Sequence, residues 1–230
     1  MVLLFSPFMK ILAMNASPHK KNSNTLQLVE AALTGAAEAG AETEFLDICE
    51  YNIQYCTGCG ICYQTGECPI TDDYAEILSK MQDADGLIIG TPVYINAITA
   101  QLKTVLDRMA DIIHCQKFTG KYGIVVTTGG GGGTDDVIPY LGNTLQVLGA
   151  NMCGGVGAVM GDGPERFEHQ KKEAIKSGEI LVNAINNQTT YPEQEVFHAQ
   201  MKEHMSNLVS ANRETMQHEY QYLKNRGWIE

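Results

Sequence analysis

Residues 86–93 read GLIIGTPV, an apolar run with no polar alternation, and no other stretch narrows the possible folds as far. A strand that is apolar on both faces belongs to a parallel sheet covered by helices on each side. Around it, short apolar segments alternate with stretches of helical period. Residues 9–16 predict a first strand, ended by Ser17-Pro18, and from Asn24-Thr25 onward Leu26, Val29, Ala32 and Leu33 share a helical face that Gly40 stops. Further strands are expected over 44–48, 122–127 and 156–160, the last after a Gly154-Gly155 break, with helices over 72–81, 98–113, 137–148 and 165–184. Strands alternating with helices imply right-handed crossovers. The expected fold class is therefore α/β, a doubly wound five-stranded parallel sheet of order 2-1-3-4-5, with ligands beyond the carboxyl ends of its strands at the switch point between strands 1 and 3.

This domain is expected over residues 9–188. The polar, turn-rich segment 186–195 reads as a linker, after which Phe197, Met201, Met205, Leu208, Asn212, Met216, Tyr220 and Leu223 recur every three or four residues. Residues 189–230 are thus expected to form a C-terminal helical extension, too short for an independent core. Its methionines and aromatics suit an interface, so it is expected to serve oligomerisation. Residues 1–8, MVLLFSPF, lack the basic region and cleavage site of a secretory signal and read as an upstream extension, with Met9 the expected natural start.

Charge excludes one class of partner. Sixteen Lys+Arg against 27 Asp+Glu give −11, a surface that repels a phosphate backbone, so no nucleic acid is expected. No apolar run approaches the roughly 20 residues of a bilayer span, so no membrane partner is expected either. Four of the seven cysteines crowd into residues 56–68, too dense to staple distant elements, and reduced thiols in a cytoplasm fit better. Cys49, Cys115 and Cys153 stand alone and read as small apolar residues.

The chemistry is expected in four loops. After the first strand, Ser17-Pro18-His19-Lys20-Lys21-Asn22-Ser23-Asn24-Thr25 runs into a helix N-terminus and offers hydroxyls, amides and local positive charge, which suit a monophosphate. The competing reading makes Ser23 or Asn24 a plain N-cap. Neither G-x-G-x-x-G nor a P-loop occurs there. After the third strand, Pro92, Val93, Tyr94, Ile95 and Asn96 can lay amides and an aromatic edge along a flat ring, or form only a tight strand-to-helix turn. After the fourth come Thr127, Thr128, Gly129, Gly130, Gly131, Gly132, Gly133 and Thr134, where five glycines point to close backbone approach to a ligand. The loop after the second strand carries Cys56, Cys59, Cys62 and Cys68 in a C-x2-C-x2-C-x5-C-P pattern. Three thiolates two residues apart with a fourth further on is how a cubane iron-sulfur cluster is held. Zinc on four thiolates and a loop of unliganded cysteines are the competing readings.

Taken together, SPHKKNSNT, TPVYINAITAQLKTVLDRM and TTGGGGGTDD resemble the NADPH-dependent FMN reductase branch of the flavodoxin-like flavoproteins, and with the inserted cysteine pattern the chain resembles the iron-sulfur flavoproteins. The resemblance implies one FMN and one 4Fe-4S cluster per subunit, in a homodimer or homotetramer. It implies FMN phosphate on Ser17, His19, Ser23, Asn24 and Thr25, ribityl and ring contacts from Pro92, Val93, Tyr94, Ile95 and Asn96, and the backbone of Thr127, Thr128, Gly129, Gly130, Gly131 and Gly132 closing over the pyrimidine end. The cluster would sit on Cys56, Cys59, Cys62 and Cys68. Relatives often carry Arg where this chain has His19. The expected function is an electron-transfer oxidoreductase whose cluster takes single electrons from a ferredoxin and whose FMN passes them to an acceptor. Its rivals are an NAD(P)H-dependent FMN or quinone reductase with a cluster-free cysteine loop, and a non-enzymatic flavodoxin-like carrier. No side chain is nominated as a catalytic acid or base, and His198, His204 and His218 read as surface or interface residues.

Overall fold

The strands β3 (Gly86–Pro92) and β4 (Tyr122–Gly129) are buried along their whole length, and their apolar character follows from the helices that cover both faces. The structure is a computed structural model that describes residues 9–230, so the expected extension at 1–8 lies outside the described residues. β1 (Lys10–Asn15) lies between β3 and β2 (Glu42–Asp47), and β5 (Asn151–Val159) completes an all-parallel sheet of order β2-β1-β3-β4-β5, as expected.

One face is covered by α1 (Asn24–Glu38) and α7 (Pro164–Asn186), which close over Ile11, Ala13, Ile88, Ile124 and Val126. The other face carries α3 (Tyr74–Asp83), α4 (Ala100–Asp107), α5 (Ala110–Cys115) and α6 (Thr134–Val147) against Leu12, Met14, Leu87, Ile89 and Val125. Four elements differ from the sequence expectation. The helix expected over 98–113 is two, α4 and α5, because Arg108 ends α4 and turns its side chain inward. β5 begins at Asn151, not after the glycine pair: a bulge at Cys153 shifts the register. A Cβ on Gly155 would stand 2.6 Å from Ile138 Cγ2, so this glycine lets α6 pack onto the strand instead of breaking it. The tail is also two helices, α8 (Pro192–Ala211) and α9 (Gln217–Asn225). A short helix not foreseen from the pattern, α2 (Ile61–Thr65), sits inside the cysteine loop.

The contact between α1 and α7 depends on two glycines. A Cβ on Gly178 would lie 1.9 Å from the Ala32 carbonyl oxygen, and one on Gly35 would lie 1.9 Å from that of Ile175. Alanine at 178 gains about 1 kcal/mol of helix propensity, but the two backbones must part to admit it. Gly178→Ala is therefore expected to cost a net 1–3 kcal/mol or so, read as a lower urea midpoint. An unchanged midpoint would show that the helices separate freely.

Candidate functional site

The loops after β1, β3 and β4 meet at the carboxyl end of the sheet. Ala16 donates its N–H to Gly90 O at 2.8 Å, and Thr99 Oγ1 donates to Ala16 O at 3.0 Å. Val93 donates its N–H to Thr128 O at 2.8 Å, and the hydroxyls of Thr25 and Thr128 lie 2.6 Å apart in the buried interior. At the rim, Tyr94 OH lies 3.2 Å from His19 Nε2. The structure thus brings Thr25, Thr128, Val93, Tyr94 and His19 together across three loops.

Within this cradle, Ser23 Oγ accepts from Leu26 N–H at 3.0 Å, so it caps α1, and Ser17 is buried with its N–H donated to Asn15 Oδ1. Ile95 and Asn96 both take left-handed backbone conformations, with φ of 48° and 58°, and Ile95 is 97% exposed. A β-branched residue held there and presented to solvent is strained, a state that concentrates at ligand-binding loops. The cradle also fits a flat polar ring on its own evidence. Thr127 Oγ1 is buried with no hydrogen-bond partner, and the backbone at Gly130 and Gly131 faces open space. Gly129 is required by close approach, since a Cβ there would stand 2.1 Å from Gly132 O.

The cysteine loop leaves the sheet after β2. Between it and the first loop lies a cleft bordered by Pro18, Lys20, Cys49, Tyr51 and Tyr55. Cys56 and Cys59 are exposed, Cys62 and Cys68 half-buried, and all four are free thiols. Gly58 donates its N–H to Cys56 Sγ at 3.4 Å. The Ile61 N–H, and then the Thr57 hydroxyl, hold the Cys59 thiol below its ordinary pKa. Burial first, and then Asp111 and Glu219, push the Cys62 thiol up to about 11. Among the described residues no group of three or more His, Cys, Asp or Glu side chains stands ready to hold a metal ion. The four thiols and the N–H groups aimed at sulfur suit an iron-sulfur cluster in donor chemistry, but the loop does not present them as a preassembled ligand set.

Two features of this loop escape sequence reasoning. Arg108, buried at the α4–α5 break, pairs with Asp72 at 2.5 Å, lies over the Tyr74 ring at 4.2 Å and donates to Cys68 Sγ at 3.2 Å. The signal was a lone arginine within an otherwise apolar helical stripe. The second is a cover supplied by the tail. Val209, Met216 and Leu223 are buried with Tyr63, Tyr220 and Trp228 around them, and the wholly buried Glu219 places both carboxylate oxygens 3.0 Å from His114 Nδ1. His218 is half-buried against Gly66, His198 is half-buried and His204 is exposed. The tail therefore packs on the cysteine loop of its own chain.

The profile of the NADPH-dependent FMN reductase family matches residues 9–164. An iron-sulfur flavoprotein of Archaeoglobus fulgidus is 30% identical over 226 residues, covering 96% of this chain and 100% of that one. An iron-sulfur flavoprotein of Methanocaldococcus jannaschii is 46% identical over 100 residues, covering 44% of this chain and 51% of its own, so that match spans about half the length of the relative. Among solved structures, a flavone reductase superposes with a TM-score of 0.62 at 21% identity, over 77% of this chain and 63% of that one, which is likeness of fold.

Removing one of two paired buried hydroxyls strands the other. Thr25→Val or Thr128→Val alone is expected to cost about 1–3 kcal/mol in the flavin-free chain, while the double variant costs less than the sum, checked by urea unfolding. Additive losses would show that the two hydroxyls do not support each other. His114→Ala leaves the Glu219 carboxylate buried and unpaired, a penalty of about 3–5 kcal/mol if α9 stays docked. Undocking is the expected response, and Trp228, the single tryptophan, reports it as a red-shifted emission. An unshifted spectrum with an unchanged unfolding midpoint would show that the pair contributes nothing.

Proposed function

The chain belongs to the iron-sulfur flavoproteins within the NADPH-dependent FMN reductase family and is a flavin-dependent oxidoreductase, and from that premise we propose that it carries FMN and a 4Fe-4S cluster and moves electrons between them. The observation that carries this reading is the C-x2-C-x2-C-x5-C loop, inserted after β2 in a chain that aligns end to end with an iron-sulfur flavoprotein.

In this reading Cys56, Cys59, Cys62 and Cys68 hold the cluster. Thr25, His19 and the amides of the first loop hold the FMN phosphate, with Ser17, Ser23 and Asn24 shaping that loop. Pro92 to Asn96 border the ring, and Thr127 to Gly132 meet its polar edge, where the unpartnered Thr127 hydroxyl has a hydrogen bond to give or accept. When bound, the cluster supplies one-electron exchange and FMN a two-electron store; the protein's share is to hold and tune them. A ferredoxin as donor, with NAD(P)H as the other candidate, a homodimer or homotetramer, and a cytoplasmic site of action belong to the same proposal. Among the described residues, no helix is long and apolar enough to cross a membrane.

The match of residues 9–164 to the NADPH-dependent FMN reductase profile favours one second reading, an NAD(P)H-dependent FMN or quinone reductase with a cluster-free cysteine loop. Iron and sulfide analysis with a visible spectrum after anaerobic purification separates the two. Cys59→Ala is expected to abolish bound iron and sulfide while flavin stays bound, since the flavin loops follow other strands. Wild-type protein without iron would sink the cluster reading, and loss of both cofactors from folded Cys59→Ala protein would sink the separation of the sites.

A further inference from the structure

We propose that Arg108 is the positioning residue of the cysteine loop: it ties the two ends of that loop together and sets a fixed positive charge against Cys68, which biases a bound cluster toward its reduced form. The inference rests on the cluster reading above for its redox part and on geometry alone for the clasp.

The guanidinium side chain is 1% exposed and the side chain of its partner Asp72 is wholly buried. Nη1 donates to Asp72 Oδ2 at 2.5 Å and to Gln54 O at 3.3 Å, while Nη2 donates to Cys68 Sγ at 3.2 Å and to Ile70 O at 3.4 Å. Gln54 precedes the first cysteine and Ile70 follows the last, so one side chain grips both ends of the insertion. Asp72 closes the same ring by accepting the Gln54 N–H at 2.7 Å, and beside it Asp73 accepts the Asn52 N–H at 2.7 Å. Burial disfavours the Asp72 carboxylate, but the Arg108 hydrogen bond and two backbone N–H groups outweigh it and hold its pKa below the usual value. Arginine is suited to this work because its planar fork spreads several donors and keeps its charge when buried. Its Nε is buried without a partner, so the group keeps a donor beyond those that the clasp uses.

Hydrogen bonds to cluster sulfurs and nearby charge are what set a cluster's potential, and a cation beside a ligating thiolate stabilises the state that carries the extra electron. Groups that orient metal ligands from behind matter to retention as well, typically by 10–100-fold. Arg108 stands in that position toward Cys68.

The test uses full-length protein, purified and reconstituted without oxygen with ferrous iron and sulfide, as wild type, Arg108→Lys, Arg108→Gln and the charge-balanced double variant Asp72→Asn with Arg108→Gln. Arg108→Gln is expected to lose iron to a chelator roughly 10–100-fold faster and to show a lower cluster midpoint potential by redox titration. Arg108→Lys keeps the charge and is expected to hold the potential near wild type while losing iron faster, since one ammonium cannot reproduce the fork. If Arg108→Gln fails to fold, the double variant supplies the measurement. Wild-type potential and wild-type iron retention in a folded Gln or double variant would overturn the proposal. If the wild type takes up no iron, the cluster reading has failed on its own. The clasp is then read in metal-free chain as chymotryptic cleavage at half-buried Tyr63, which is expected to accelerate in Arg108→Gln, and an unchanged rate would overturn it.

Discussion

Burial of β3 and β4 on both faces is the constraint from which the rest of the structure follows. A strand with helices above and below cannot place a charge or a ligand contact along its length, because any such group would be dehydrated without a partner. The backbone satisfies itself in the parallel ladder, and the side chains are left to fill the two apolar layers. Polar function is displaced to the strand ends, where Thr91, Thr127 and Thr128 stand at the last positions before the chain turns. Thr128 meets Thr25 from the loop after β1 and Val93 from the loop after β3, so a parallel sheet with a switch point gathers three loops in one place without any of them being near another in sequence.

The cysteine loop has no such sheet beneath it. Between Ile48 and Tyr74 the chain forms only two short helical turns, and its apolar contacts to the main core come from a few half-buried side chains such as Tyr51, Ile53 and Cys68. Its shape depends instead on a buried ion pair and on a lid of tail helix. A buried pair gives little net stability when compared with apolar packing, yet breaking it singly is costly. Arg108 and Asp72 therefore act less as glue than as a specification of where the loop closes. The lid works in the same way: Glu219 is wholly buried and answered by His114, while Arg226 reaches across to Cys115 O at 3.2 Å and stacks on Trp228 at 4.1 Å. Met216, Tyr220, Tyr222 and Trp228 of the tail cluster with Tyr63 of the cysteine loop, which gives this part of the tail a use within its own chain.

Much of this was legible in the residues. GLIIGTPV could be little other than a buried strand, the glycine run after β4 marked a tight turn in which Gly129 comes up against the Gly132 carbonyl, and the spacing of four cysteines limited the loop to a few chemistries. What misled was local reading of features with long-range causes. Gly154 and Gly155 look like a break, yet one sits at a bulge and the other admits α6. The stripe through residues 98–113 looks continuous, yet Arg108 leaves it for an acid 36 residues earlier. Ser23 was legible both as a phosphate ligand and as a cap, and in the structure its hydroxyl caps α1.

Periodicity and turn chemistry act between residues a few positions apart, and from them the sheet class, the strand order and most of the elements could be read, together with four loops in which the chemistry was expected. The pairs that hold the loops come from groups far apart in the chain: Thr25 with Thr128, Arg108 with Asp72 and Cys68, His114 with Glu219 across 105 residues. A hydroxyl or charge carries no mark of its partner in the chain. The partner is chosen when folding removes water from both and each must be satisfied by whichever group the closed loops have brought within reach.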